Sequence, residues 1–266
     1  MAAEGGAPSF IARPLERLGS AANDVFEEVG RFFFILKSTL YWMFRPPFDG
    51  REWLRQAVRV GVDSLPVVGL TAMFTGMVLA LQTYRGFERF HAESYVASVV
   101  SLSLTRELAP VLAALMIAGR IGSSLAAELG TMRVTEQIDA LFAMATEPIH
   151  YLIVPRVAAA TLMLPPLVAF ADGLGIGGGW AVAVGLMDAN PVVYWEKTFQ
   201  FLDLNDVFSG LIKAAAFGLI LSVTGCAKGY FTSGGAEGVG RSTTAAVVMA
   251  SVVILLSDFF LTKLLF

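Results

Sequence analysis

Five apolar runs, each long enough to cross a bilayer, decide what this chain can fold into. They cover about residues 60–83, 94–118, 157–187, 207–230 and 243–266. A helix needs about 20 apolar residues to span a ~30 Å hydrocarbon core at ~1.5 Å per residue. No water is present there to serve backbone amides and carbonyls, so each run must close its own hydrogen bonds. The expectation is an all-α integral membrane protein with five transmembrane helices. Composition agrees: 56% of the 266 residues are hydrophobic and 15% are charged, against roughly 45–50% and 25% in soluble domains. A net charge of −3 offers no basic footprint for nucleic acid. The single Cys226 lies in an apolar run and has no intrachain disulfide partner, so it reads as a small packing residue.

Ahead of the first span, residues 1–12 read as a flexible lead without the basic start and early apolar core of a signal peptide. From Pro14 to Met43 apolar residues recur every three or four positions, the stripe of an amphipathic helix. Its most apolar stretch is short and carries Lys37, so an interfacial helix fits better than a crossing, with Tyr41 and Trp42 at headgroup level. Pro46, Pro47, Asp49 and Gly50 end it, and a short basic helix, 51–59, leads into the membrane. Residues 1–59 therefore form a lead with interfacial and elbow helices, and 60–266 form the five-span domain. In the first span Ala72, Gly76 and Ala80 fall four apart, a stripe that lets two backbones approach, within this chain or between subunits. The third run is longer than a straight crossing needs. Pro165, Pro166 and the glycines at 173, 175, 177, 178 and 179 predict a kink or a broken helix, followed by a polar loop from Asp188 to Asp206.

Lys and Arg in short loops orient the chain. Arg13, Arg17, Arg31, Lys37, Arg45, Arg51, Arg55, Arg59, Arg120, Arg133, Arg156, Lys228 and Arg241 fall on one side, and only Arg85, Arg89, Lys197 and Lys263 on the other. The N-terminus and residues 119–156 are thus expected in the cytoplasm and the C-terminus outside.

Four charges lie inside spans, where each costs about 2.5–3.5 kcal/mol on insertion scales unless a partner, cavity or function accounts for it. Lys213 and Asp258 sit ~9 Å and ~12 Å below the outer surface, by residue count, on consecutive antiparallel helices, and are expected to pair. Arg106 and Glu107 are deeper and point about 100° apart, as neighbours on a helix do, so they are not expected to pair with each other. Structural pairing and substrate contact are both open for all four. His91 and His150 have no ligand cluster around them, so no metal site is assigned.

Gly235 to Ser242 matches the phosphate-loop spacing except for Arg241 in place of lysine. It follows an apolar helix rather than a β-strand, and reads as a tight turn with Ser242 or Thr243 capping the fifth helix. Residues 128–141, between spans two and three, read as one helix carrying Glu128, Arg133, Glu136, Gln137 and Asp139, with Ile138, Leu141 and Phe142 as its apolar edge. Charges at bilayer depth followed by a charged helix on the water side suggest a transport subunit. A passive channel or scaffold calls for polar stripes along several helices, and an intramembrane enzyme for a catalytic set around Asp172 or Asp258. No catalytic residue is assigned.

The wording SLSLTRELAPVLAALMIAGRIGSSLAAELGTMRVTEQIDAL over 101–141, with GAEGVGR before the last span, resembles the MlaE/YrbE-type permeases, membrane subunits of ABC lipid transporters that work with MCE-domain proteins. The resemblance covers roughly 30–266 and carries nothing over to 1–30. It implies a homodimer in the bacterial inner membrane, an ATPase on the cytoplasmic face that alone uses ATP, an MCE assembly outside, and phospholipid or another hydrophobic lipid as cargo. No cofactor is implied for this chain. The family's intramembrane charges map onto Arg106, Glu107, Lys213 and Asp258. Its coupling helix maps onto 128–141, so Glu128, Arg133, Glu136, Gln137 and Asp139, with Arg241 on the neighbouring turn, are the expected ATPase contacts.

Overall fold

In the computed structural model, which describes residues 12–46 and 49–265, every long element is a helix and no strand occurs among the described residues. Five helical segments are long and apolar enough to cross a membrane: Gly50–Glu88, Glu93–Val134, Ile149–Met187, Leu204–Tyr230 and Gly235–Leu265. The lead expected over 1–12 and the break at Pro47 lie outside the described residues, Ala12 excepted.

Helix α1 (Ala12–Met43) lies against the bundle, turning Ile35 and Thr39 inward and leaving Phe33, Phe34 and Tyr41 exposed. Helix α2 (Gly50–Val60) starts where Asp49 accepts hydrogen bonds from the amides of Arg51 and Glu52, the cap that its position predicts. Helix α3 (Leu65–Glu88) completes the first span. The second comprises α4 (Val96–Ser103), α5 (Ala109–Ile117) and α6 (Ser123–Val134), joined by π-helical turns at Leu104–Leu108 and Ala118–Gly122. A short α7 (Gln137–Ala143) and a third π-helical turn lead to α8 (Val154–Met187). Helix α9 (Pro191–Phe201) covers the opposite end, and α10 (Leu204–Tyr230) and α11 (Gly235–Leu265) finish the chain.

Helix α8 is the centre of the bundle. Its span is 61% buried against 17% for α11, which therefore sits at the perimeter. The kink or break predicted at Pro165 and Pro166 is absent as a break: α8 runs through both without interruption. Prolines persist in buried spans because neighbouring helices take over the freed backbone groups. Three of the α8 glycines, Gly175, Gly178 and Gly179, serve packing, whereas a Cβ on Gly173 or Gly177 would meet open space. Gly175 and Gly178 lie against α3, and a Cβ on Gly76 would strike the carbonyl of Gly175. The Ala72, Gly76, Ala80 stripe is thus used within the chain, at the α3–α8 crossing, and all three are buried.

The polar loop expected over 188–206 contains α9. Asn190 caps it, accepting from the amides of Val192 and Val193, and Pro191 occupies its first turn. Tyr194 is buried under α9 and donates to the carbonyl of Ile176 at 3.4 Å. Burial raises its hydroxyl above the usual phenol range, so it stays a neutral donor.

Candidate functional site

The four intramembrane charges converge on the half of the bundle nearer α9. Lys213 on α10 is fully buried. Its Nζ lies 2.7 Å from Glu107 Oε2 and 3.2 Å from Asp258 Oδ1, and it donates to the Arg106 carbonyl at 2.9 Å and to Thr262 Oγ1 at 2.7 Å. The predicted Lys213–Asp258 pair is present, but Glu107 is the nearer partner. Asp258 Oδ1 makes an ion pair without an aligned hydrogen bond. Thr262, one turn beyond Asp258, lies 3.1 Å from Glu107 Oε1 and donates to the Asp258 carbonyl at 2.8 Å.

Arg106 turns the other way. Its Nε and Nη2 reach Asp206 Oδ1 at 2.8 and 2.7 Å, while Asp206 Oδ2 accepts from the Asp203 amide at 3.1 Å. As expected, Arg106 and Glu107 have separate partners. Both sit on the Leu104–Leu108 π-helical turn. Such turns add a residue to the helix, shift its faces and concentrate at functional sites. Asp206 and Thr262 were not anticipated. The spacing Asp203-Leu-Asn-Asp206 at the start of an apolar run is a helix-entry signature that could have drawn Asp206 into α10.

The depths explain why Glu107 joined. Helix α10 begins at Leu204, three residues before the expected start. Lys213 is therefore ~14 Å along it rather than ~9 Å, level with the deeper Glu107. The site also has an inside and an outside: Lys213 and Asp206 side chains are 0% and 3% exposed, whereas those of Arg106 and Glu107 are 40% and 37% exposed. Buried countercharges thus hold two charged groups that reach the bundle's surface.

The expected coupling residues separate into three places. The segment 128–141 is not one helix. It breaks at Glu136, whose φ of 61° is left-handed, so Glu128 and Arg133 end α6 while Gln137 and Asp139 begin α7. No glycine stands there to accept that conformation, hence the misjudged continuity. Glu128 faces into the bundle and bridges Arg59 of α2 and Arg156 of α8, the latter at 3.3 Å. Arg133 pairs with Asp139 at 2.6 Å across the break. Gln137 donates to Thr135 Oγ1 at 3.1 Å, and Glu136 is exposed. Of the apolar edge, Ile138 is buried and Leu141 packs against the core, while Phe142 and Met144 remain exposed. Arg241 lies on the second turn of α11, 71% exposed. The expected cap at Ser242 or Thr243 is not made, because α11 already starts at Gly235 after a turn with Gly234 at φ 89°.

A bundle of five apolar, membrane-length helices that buries Lys213 and Asp206 and carries their partners Arg106 and Glu107 to its surface has the architecture of a multi-pass membrane protein. The Permease MlaE family model matches residues 53–264, and the chain belongs to that family. It is 48% identical over 249 residues to a "Probable ABC transporter permease protein" of Rickettsia bellii, covering 94% of this chain and 96% of that one. A similarly named protein of Synechocystis is 44% identical over 241 residues, covering 91% and 92% of the two chains. The chloroplast "Protein TRIGALACTOSYLDIACYLGLYCEROL 1" of Arabidopsis thaliana is 39% identical over 232 residues, 87% of this chain and 64% of that one. The protein is a permease subunit of the ABC transporter class.

Proposed function

We propose that this permease moves phospholipid or a related hydrophobic lipid between the bacterial inner membrane and an external MCE-protein assembly, as a homodimer with its N-terminus cytoplasmic. A separate ATPase subunit hydrolyses the ATP, and this chain binds no cofactor. The observation that carries the reading is the exposure of Arg106 and Glu107 at bilayer depth, each anchored by a buried countercharge. Left against hydrocarbon, such groups cost about 2.5–3.5 kcal/mol each on insertion scales. A second copy across that face would cover them and enclose a cavity in which a polar headgroup meets charge and acyl chains meet the surrounding leucines and valines. The lipid reading gains support from the chloroplast relative, whose name refers to a glycerolipid.

In this reading residues 1–59 form the cytoplasmic lead and elbow, 60–266 the five-span domain, and 119–156 carry force from the ATPase. The exposed surface of α7 suits that contact: Glu136, Gln137 and Asp139 offer acceptors beside exposed Phe142 and Met144. Glu128 and Arg133 act behind it, tying α6 and α7 to α2 and α8. The test is reconstitution with the ATPase and MCE partners in vesicles. Labelled phospholipid should move only with hydrolysable ATP; equal movement without ATP would favour a passive channel.

A further inference from the structure

Where α3 and α8 end and α4 and α9 begin, the bundle holds a cavity of about 190 Å³ lined by none of the four intramembrane charges. Tyr84 of α3, Glu93 and Ser94 of the turn before α4, and Asn190 at the start of α9 give it a polar wall, which Val96, Val193 and other apolar groups complete. The Asn190 carboxamide oxygen is occupied by the α9 cap. The side chains of Tyr84, Glu93 and Ser94 make no hydrogen bond or ion pair with any described residue. No Lys, Arg or His stands among the described lining residues. Glu88, one turn beyond Tyr84, and Asp188, where α8 ends, add to the negative charge: with Glu93 they act electrostatically on the Tyr84 hydroxyl. Arg85 and Arg89 are exposed one step round the same helix end and make no ion pair with these carboxylates among the described residues. Tyr84 follows directly on the apolar run 60–83, so the cavity lies at headgroup level.

We infer that this cavity binds the primary ammonium of an aminophospholipid in the leaflet at the α9 end. An ammonium brings one positive charge and three N–H donors. The cavity answers with the Glu93 carboxylate and the Tyr84 and Ser94 hydroxyl oxygens, none of which has a donor among the described residues. Hydrogen bonds from an ammonium to a carboxylate are charge-assisted, the stronger kind. The three carboxylates do not close into a metal-binding group, which leaves an organic cation. A lipid headgroup also supplies what a free amine lacks, because its phosphate complements the Arg85 and Arg89 flank. Trimethylation removes all three donors, so a choline headgroup loses the hydrogen bonds that hold the amine. The inference rests on the permease reading in one respect, that a bilayer lipid is a ligand of this chain.

Native mass spectrometry of the full chain released from nanodiscs of equal parts phosphatidylethanolamine and phosphatidylcholine tests it. Phosphatidylethanolamine should be retained in preference, and millimolar free ethanolamine should not displace it. Glu93→Gln should cut that preference about tenfold, or ~1.4 kcal/mol, the scale of one hydrogen bond to a charged group. Glu93→Asp should keep most of it. Glu196→Gln, exposed on α9 and outside the cavity, should leave it unchanged. Equal retention of both lipids by wild type, or a preference that Glu93→Gln leaves intact, would overturn the site. Displacement by ethanolamine would overturn the lipid source and make it a free-amine site. An intact lipid preference with loss of the external protein from the Glu93→Gln complex would assign Glu93 to docking instead. ATP-driven transfer by the wild-type complex is scored separately. Transfer without retained phosphatidylethanolamine rejects this site alone; retained lipid without transfer rejects the permease reading alone.

Discussion

Lys213 and Glu107 meet at 2.7 Å although 106 positions separate them in sequence, and Lys213 is wholly shielded from solvent. One ammonium therefore holds the second, fourth and fifth spans together, since Asp258 of α11 shares it. Removing it alone leaves two carboxylates without their cation. Lys213→Met should cost about 3–5 kcal/mol, the usual penalty for breaking a buried pair from one side. Adding Glu107→Gln should recover more of that loss than adding Asp258→Asn, because Glu107 is nearer and hydrogen-bonded. Double-mutant cycles on thermal unfolding in detergent read this directly. Equal coupling for the two carboxylates would contradict the ranking.

The α3–α8 crossing depends on glycine where the backbones touch. Gly76→Val should destabilise the bundle by more than the ~1–3 kcal/mol of ordinary overpacking, because the obstacle is the Gly175 carbonyl rather than a side chain that can rotate away. Gly86→Ala, with open space around it, should be close to neutral. The same unfolding assay compares them, and similar losses would reject the close contact.

Alternation of five spans puts the turn after α3 and the start of α11 at opposite ends. Cysteines placed at Ala92 and Ala236 should react with a membrane-impermeant maleimide from opposite sides of sealed vesicles. The native Cys226 is buried and should stay silent. Labelling of both new cysteines from one side would overturn the five-span topology.

Much of this was legible because apolar length and charge placement act on the sequence directly. The spans and the Lys213–Asp258 pair both follow from counting residues along helices. Glu107 and Asp206 did not, since their partners depend on where α10 begins and on a π-helical turn, and a shift of three residues alters depth by ~5 Å. The proline pair produced no break for a related reason. Proline breaks helices in water, but inside a packed bundle the surrounding helices keep α8 continuous. The break at Glu136 left no trace either, because a non-glycine residue is held there by tertiary structure.

Glu136 separates backbone strain from charge. A left-handed conformation costs a non-glycine residue about 1–2 kcal/mol, so Glu136→Gly should hold or raise the melting temperature. Glu136→Lys reverses the charge beside Asp139 on α7 and should weaken ATPase docking or uncouple hydrolysis from transport, with membrane insertion unchanged. Wild-type docking and transport by the lysine variant would move the coupling contact to the 234–241 turn.

The measurement closest to the proposed mechanism is ATP-driven phospholipid transfer by the reconstituted complex carrying Glu107→Leu. Lys213 keeps Asp258 and Thr262 in that variant, so the bundle and its assembly with the ATPase should survive. If Glu107 presents its charge to lipid headgroups, transfer falls to background while the complex still purifies intact. Transfer at the wild-type rate by the intact variant complex would remove Glu107 from the lipid path.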